Sequence, residues 1–323
     1  MKRASFAAAV LLTLLLICVP PASAQTFAER LGWAPDQRVL IIHSDDVGMC
    51  HETNLGAIDA LENGIVSSIS IMMPCPWVGE IAEYLKTHPQ VDAGLHLAMN
   101  SEWDYYRWGP VAGRSAVPGL ADAWGCLWDN KELLVQHATP DEVETEIRAQ
   151  IDRALAFGIT PTHIDTHMGG LFATPEIAQR YIKVALEKQI PMMMINLSPE
   201  QLAEEAPQLA GQLQAVVQTV WDGGLPVLDH LLTNTYDWPA EEKKANYIQA
   251  LREMQPGLTE MIVHCAKRSD NFMRITHAAD RWIADGECMI DPELKQVLEE
   301  EHIILTTWRE LKARRDALRS VGL

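Results

Sequence analysis

The chain has 323 residues, 48% of them hydrophobic, and a formal net charge of −18 at pH 7. It is long enough to bury a core of its own, and its acidic surface would be repelled by nucleic acid and by anionic membranes, so neither is an expected partner. The six cysteines stand singly, without a CxxC pair. A thiolate metal site and a disulfide scaffold are therefore not expected, although pairing of individual cysteines stays open.

The first residues have the pattern of an export signal. Lys2 and Arg3 precede an apolar run, and a small-residue cleavage site stands before Gln25. The run is too short for a comfortable membrane span. We therefore predict a signal peptide over residues 1–24, an exported protein (periplasmic or secreted), and a single domain over 25–323.

After the leader, short apolar runs alternate with longer amphipathic segments. The runs predict strands and the amphipathic segments predict helices. In chain order the predicted elements are a strand over 38–42, a helix over 53–63, a strand over 66–73, a helix over 78–87, a strand over 92–97, a helix over 140–157, a strand over 162–166, a helix over 175–188, a short run over 191–195, a helix over 239–254, strands over 258–264 and 303–306, and a terminal helix. This alternation predicts an α/β fold with a parallel sheet, most simply a closed or nearly closed barrel. An open doubly wound sheet is the alternative.

A Trp-rich insertion over about 98–138 interrupts this alternation. It shows no clear helix or strand, and it contains Trp103, Arg107, Trp108 and Trp124. Connections of this length are usually functional or disordered, and the aromatic content argues against disorder. Indole faces at a cleft rim could stack on sugar rings while the arginine binds hydroxyl groups, so we predict substrate binding by these four residues. A hydrophobic cluster beneath a long loop is the alternative.

Polar residues stand at or just after the ends of the predicted strands: Asp45, Asp46, His96, His167 and His264. In parallel α/β folds the carboxyl ends of the strands meet at one face, so these side chains are expected to converge. An aspartate with two well-separated histidines is the ligand set of an open divalent-metal site, and a second aspartate can act as a general base. The pattern predicts metal-assisted hydrolysis.

The adjacent Asp45 and Asp46 need a local change of direction to share one site. Neighbouring side chains on a strand point to opposite sides, so both can reach the site only at a turn, which Gly48 permits. One carboxylate would then bind the metal while the other accepts a proton from water. A helix cap or an Asx turn is the alternative.

His163, Asp165 and His167 alternate, so a strand would place all three on one side. We assign His167 to the metal because it lies farthest toward the loop. Asp165 would then orient a ligand histidine, with direct ligation as the alternative, and His163 would be a buried hydrogen-bonded partner. Such donors suit one Zn²⁺ ion, with Mg²⁺, Ni²⁺ or Co²⁺ as alternatives.

His264, placed across the site, could give a proton to a leaving group; a core histidine is the alternative.

At these residues the chain resembles the YdjC-like carbohydrate deacetylases, the family that includes the bacterial chitooligosaccharide deacetylase. The resemblance lies in four segments that keep the family's order: Ser44-Asp45-Asp46-Val47-Gly48, Gly94-Leu95-His96-Leu97, Pro161-Thr162-His163-Ile164-Asp165-Thr166-His167 and Glu260-Met261-Ile262-Val263-His264. The chain departs from the family pattern at Met168-Gly169-Gly170, where the family has further histidines, and at Cys265, where it has proline.

The resemblance implies a distorted (β/α) TIM-like barrel with one metal ion bound by Asp46, His96 and His167. It also implies that Asp45 is the general base and His264 the acid. The implied reaction removes N-acetyl groups from amino sugars of an oligosaccharide or polysaccharide and releases acetate. A sugar-binding barrel without catalysis and a metallohydrolase for acetyl esters or another amide are the alternatives. A homodimer is compatible with the sequence.

Overall fold

The structure, a computed structural model, describes residues 25–196 and 210–320. The predicted signal peptide over 1–24 lies outside the described residues. Within the described part of the chain, no helix combines the length and the apolar character needed to cross a bilayer. The cysteines of that part form no disulfide with one another: Cys50, Cys75, Cys126, Cys265 and Cys288.

A parallel sheet of seven strands lies at the centre of the domain. The strands are β1 (Arg38–Val47), β2 (Ser68–Ile71), β3 (Ala93–Leu97), β4 (Ile164–Thr166), β5 (His230–Leu232), β6 (Gly257–Val263) and β7 (Ile304–Leu305). They lie in the order β4-β3-β2-β1-β6-β5, and β7 pairs with the first half of β1. β1 is buried from Val39 to Val47, because strands of a parallel sheet are covered on both faces.

Helices connect the strands and pack against the sheet and against one another. They span Phe27–Arg30, His51–Asn63, Val78–Thr87, Lys131–His137, Pro140–Ala156, Pro175–Lys188, Ala210–Asp222, Lys243–Glu253, Phe272–Ile275, Ala279–Met289, Pro292–Glu300 and Trp308–Ser320. Local sequence explains several of their starts. Thr139 and Thr174 cap the helices that follow them, and a proline occupies the first position of each, where its missing N–H costs nothing.

The predicted parallel α/β fold is confirmed, and the predicted barrel is confirmed in part. The sheet curls into a partial barrel, and the segment over 191–195 forms single bridges instead of a regular strand. Met192 bridges to Ile164 of β4, and Ile195 bridges to Leu228, which precedes β5. The regular strands of the described chain therefore form a curled sheet and stop short of a complete eight-stranded barrel.

Other differences from the predicted elements have local causes. The insertion over 98–138 contains the helix Lys131–His137, and β5 is too short to show a periodicity in the sequence. The helix Ala279–Met289 carries Gly286 in its interior, which weakens its helical signal. A Cβ at Gly286 would stand 2.9 Å from the carbonyl oxygen of Ala266, so the glycine permits a close approach of backbone.

Gly56 also permits a close approach of backbone, on the opposite side of the segment that contains Ala266. It lies in the helix His51–Asn63, and a Cβ there would stand 2.5 Å from the backbone of Ala266. The chain that leaves β6 after His264 therefore passes between two helices that each present a glycine to it. This close crossing fixes where the end of β6 lies.

We expect the substitution Gly56→Ala to lower the free energy of unfolding by about 1–3 kcal/mol, because the added methyl group overlaps backbone that has no room to move. Gly79→Ala is the matched control, since Gly79 also lies in a helix and its added Cβ would meet only a ring atom of Phe157 at 4.0 Å. That variant should be neutral or gain up to about 1 kcal/mol from helix propensity. Urea denaturation measures both, and equal effects would contradict the packing argument.

Candidate metal centre

The Asp45-Asp46 pair lies inside β1, at an irregularity of the strand. The pairing of β1 with β2 shifts register between Ser44 and Val47. Asp46 has φ 58°, a left-handed conformation that is uncommon for a residue other than glycine. Both carboxylates consequently line the same cavity. The change of direction occurs at Asp46 itself, before the expected turn at Gly48.

Three of the predicted residues bring donor atoms to one point. Asp46 Oδ1 lies 3.4 Å from His96 Nε2 and 3.3 Å from His167 Nδ1. This oxygen is buried and has no hydrogen-bond partner among the described residues. Donors about 2.0–2.2 Å from a tetrahedral zinc ion stand roughly 3.3–3.5 Å apart. The observed spacing and the unpartnered oxygen fit one divalent ion held by Asp46, His96 and His167.

Each of the two histidines is oriented by a carboxylate on its far side. His96 Nδ1 lies 2.6 Å from Asp165 Oδ1, and His167 Nε2 lies 2.9 Å from Glu102 Oε2. An N–H that donates to a carboxylate fixes the tautomer and leaves the other ring nitrogen free to bind a metal. Asp165 thus lies where an orienting residue was predicted. Glu102 was not predicted, because it lies in the insertion and no local pattern distinguishes it from other surface acids.

The charges of this cluster influence one another strongly. Burial alone would lower the pKa of His167, but the carboxylates of Glu102 and Asp46 raise it well above its ordinary value. Burial alone would raise the pKa of Asp46, yet His167, His96 and His264 hold it below its ordinary value. The aspartate is therefore ionised at neutral pH, as a metal ligand must be.

Asp45 lies beside the donor cluster and faces the same cavity. Its Oδ1 accepts a hydrogen bond from Ser70 Oγ at 3.1 Å and lies 3.1 Å from His43 Nε2. Among the described residues, no hydrogen bond reaches Oδ2. One oxygen of the carboxylate is thus anchored and the other is available to a molecule in the cavity.

His264 follows β6 and lines the same cavity. Its Nε2 lies 3.8 Å from Asp46 Oδ2, and its ring packs against Tyr236 and Trp282 with centroid distances of 5.1 and 4.9 Å. Its backbone N–H donates to Asp285 Oδ2 at 3.2 Å. The hydrogen bond to Asp285 holds the backbone at His264, and the two aromatic rings restrict the orientation of the imidazole.

His163 lies behind the site and does not reach the cavity. Its Nδ1 is 3.0 Å from Thr162 Oγ1, and its ring stacks on Trp308 with centroids 5.4 Å apart. Burial lowers the pKa of His163 to about 4. The predicted buried hydrogen-bonded histidine thus has Thr162 as its partner. A Cβ at Gly94 would overlap its ring, which explains the glycine in the Gly-Leu-His-Leu segment.

The cavity above the donors has a volume of about 680 Å³ and mainly apolar walls. Aromatic and sulfur-containing side chains form much of its lining: Trp103, Met168, Phe172, Met193, Tyr236 and Trp282. A cavity of this size suits one or two sugar rings or a ligand of similar bulk. Trp103 is the one predicted substrate-binding residue among the residues that line it.

The other three predicted substrate-binding residues lie elsewhere. Trp108 is buried, with its ring edge-on to His167 at 6.0 Å, so it supports the ligand histidine from outside the cavity. The Arg107 guanidinium is held by Asp122 at 3.1 Å and by a backbone carbonyl. Trp124 is 89% exposed and is not part of the lining. Composition indicated an aromatic insertion but could not indicate where each ring points.

We expect Glu102→Gln to weaken zinc binding by about 10–100-fold, because a neutral amide orients His167 less firmly than a carboxylate does. Asp104→Asn is the matched control, since its carboxylate is 70% exposed in the same insertion and should leave zinc binding unchanged. Competition with a chromophoric chelator measures both dissociation constants. Equal affinities for wild type and Glu102→Gln would remove the assigned orienting contact.

Comparison with known proteins gives a consistent result. The family model described as YdjC-like protein matches residues 39–300. A carbohydrate deacetylase from Thermus thermophilus is 30% identical over 285 residues, which cover 88% of this chain and 97% of that protein. A chitooligosaccharide deacetylase from Yersinia enterocolitica is 34% identical over 161 residues, which cover 48% of this chain and 59% of that protein.

A solved structure shows the same fold. It is a crystal structure from Enterococcus faecalis of a protein named for a proposed cleavage of cellobiose-phosphate. The two structures align with a TM-score of 0.72 at 22% sequence identity, covering 85% of this chain and 99% of the other. At this identity the likeness shows the architecture and carries no information about the substrate.

Proposed function

The chain belongs to the YdjC-like protein family, and from this premise we propose that it is a metal-dependent carbohydrate deacetylase. The reaction would be hydrolysis of the N-acetyl group of an amino sugar in an oligosaccharide or polysaccharide, with release of acetate. One observation carries the proposal. Three donor atoms converge within 4.8 Å of one another beside a second, partly anchored carboxylate, at the floor of a cavity large enough for sugar rings.

In this proposal Asp46, His96 and His167 hold one divalent ion, with Zn²⁺ preferred for a site of two imidazoles and a carboxylate. The bound ion would supply Lewis acidity, activating water and polarising the acetyl carbonyl. Mg²⁺, Ni²⁺ and Co²⁺ are the other candidates. The distorted barrel of the family is the architecture in which we place this site.

The protein's own groups would handle the protons. Asp45 Oδ2 accepts a proton from the attacking water, whose oxygen bonds to the acetyl carbon. His264 then gives a proton to the sugar nitrogen as the carbon–nitrogen bond breaks, so that the products are acetate and a free amine. The anchoring of the Asp45 carboxylate through Oδ1 and the packing of the His264 ring against Tyr236 and Trp282 support this division of roles.

The walls of the cavity would recognise the sugar. Trp103, Tyr236 and Trp282 can pack on the apolar face of a pyranose ring, and these residues support a carbohydrate over a small polar amide. Because Arg107, Trp108 and Trp124 are not among the lining residues, their predicted substrate contacts have no support from the cavity. We therefore assign sugar recognition to Trp103, Tyr236 and Trp282.

Acetate release from a panel of N-acetylated oligosaccharides is expected to stop on chelation and to return when zinc is restored. Enzymatic detection of acetate measures this directly.

In the same assay, Asp45→Asn should lower kcat by about 10²–10⁴-fold, because the base is lost while the metal ligands remain. Its zinc content, measured by atomic absorption, should equal that of wild type.

Other outcomes would assign the site differently. Release from O-acetylated sugars alone would make the protein an acetyl esterase. Saturable glycan binding without metal-dependent turnover would make it a sugar-binding barrel. Full activity in Asp45→Asn would remove that residue as the base.

We also propose export through the leader over residues 1–24, which rests on the sequence pattern alone. Expression of the full chain in a bacterial host should yield an exported protein whose first residue is Gln25. Amino-terminal sequencing of the periplasmic or extracellular fraction tests this. A cytoplasmic protein that begins at Met1 would contradict it.

A further inference from the structure

His43 is a buried histidine that neither the metal site nor the proposed proton transfers use. It lies in β1 two residues before Asp45, so its side chain points to the same side of the strand. Its Nε2 lies 3.1 Å from Asp45 Oδ1 and 3.0 Å from Asp165 Oδ2. One ring therefore contacts both the proposed base and the carboxylate that orients His96.

On the other side of the ring, the neighbouring hydrogen bonds show that His43 Nδ1 is the donor to Ser68. His43 Nδ1 lies 3.0 Å from Ser68 Oγ, and Ser68 donates its hydroxyl proton to Asp92 Oδ2 at 2.8 Å. Asp92 also accepts the backbone N–H groups of Trp308 and Arg309 at 3.0 Å, so both of its oxygens act as acceptors. A hydroxyl has only one proton to give. Ser68 must therefore accept a hydrogen bond from His43, and Nδ1 carries a proton.

The opposite nitrogen also carries a proton. His43 Nε2 faces the oxygens of Asp45 and Asp165, and ionised carboxylates only accept hydrogen bonds. A proton on each nitrogen makes the ring an imidazolium cation. It is fully buried, where a cation persists only if carboxylates surround it.

We propose that His43 is a buried imidazolium that positions Asp45 for the proposed deacetylation, an inference that rests on the proposed function. Together with Ser70, it holds Asp45 Oδ1 and leaves Oδ2 directed to the cavity. The same cation holds Asp165, so the base and the orienting partner of His96 share one fixed positive charge.

The surrounding charges support this assignment. Burial alone would lower the pKa of His43, but the carboxylates of Glu260, Asp165 and Asp45 raise it well above its ordinary value. Glu260 Oε1 lies 3.5 Å from Nδ1 and accepts the indole N–H of Trp308 at 2.8 Å. The cation therefore has acidic groups on both sides, and its contact with Asp45 is one part of a closed network.

The test compares two substitutions of His43 with a surface control. Asn ends too short to reach Asp45, whereas Gln places a neutral N–H donor near the position of Nε2. We expect His43→Asn to lower kcat by roughly 10–100-fold while KM changes by less than about threefold, as expected for a residue that acts through the base. His43→Gln should recover part of the loss. His277→Asn, whose side chain is 94% exposed, should behave as wild type.

A double mutant separates positioning from a general structural effect. If His43 acts through Asp45, the variant His43→Asn/Asp45→Asn should be no slower than Asp45→Asn alone. The rates are compared at saturating zinc, because His43 also contacts Asp165. Losses that multiply would overturn the proposal. If His43→Asn does not fold, the same comparison is made with His43→Gln, because the longer side chain fills more of the site.

A second measurement does not depend on activity. In a zinc-loaded, histidine-¹⁵N-labelled protein, both ring nitrogens of His43 should carry protons, and the Nε2–H signal should move in Asp45→Asn but not in His277→Asn. A singly protonated His43 would overturn the proposal. If wild type releases no acetate from any carbohydrate, the proposed function fails, whereas the NMR signals still decide whether His43 holds Asp45.

Discussion

The left-handed backbone at Asp46 is the constraint on which the site depends. A regular strand would send one carboxylate of the Asp45-Asp46 pair toward the cavity and the other into the helices behind it. At φ 58° the backbone turns both to one side, at a cost of about 1–2 kcal/mol for a residue with a Cβ. Ladder hydrogen bonds to β6 up to Ser44 and to β2 on the other edge hold the strand on both sides of the irregularity. The sheet thereby offsets a local strain that places the proposed metal ligand Asp46 and the proposed base Asp45 next to each other.

The negative charges of these buried carboxylates need positive partners close by. Histidines provide them in two layers of the site. His96 and His167 face the donor cluster, each held from behind by a carboxylate, while His43 lies one layer lower between Asp45 and Asp165. The carboxylates of Asp45, Asp46, Glu102 and Asp165 thus each have an imidazole neighbour. A carboxylate left without one would be protonated in so buried a position and would lose its use as a ligand or as a base.

How much of this arrangement the sequence predicts depends on where each residue lies in its element. Asp46, His96 and His167 could be predicted to converge because they lie at or next to the carboxyl ends of strands, and the ends of parallel strands meet. The sequence did not indicate a role for His43 at the site, because it follows an apolar run and a histidine there is usually part of the hydrophobic core. Glu102 was missed because the insertion has no periodicity to show which side chains turn inward. The irregularity at Asp46 could not be predicted either, since it depends on pairing with two strands distant in sequence.

The placement of Glu102 and Trp103 has an evolutionary consequence. These adjacent residues have different tasks, because the first holds a metal-site histidine and the second forms part of the cavity wall. A descendant that reshapes this wall for a different glycan would disturb the metal site through the same peptide. Divergence in specificity is easier at Phe172, which also lines the cavity and whose ring packs on Tyr181 and not on a histidine of the site. Within a lineage, Trp103 should therefore diversify more slowly than Phe172.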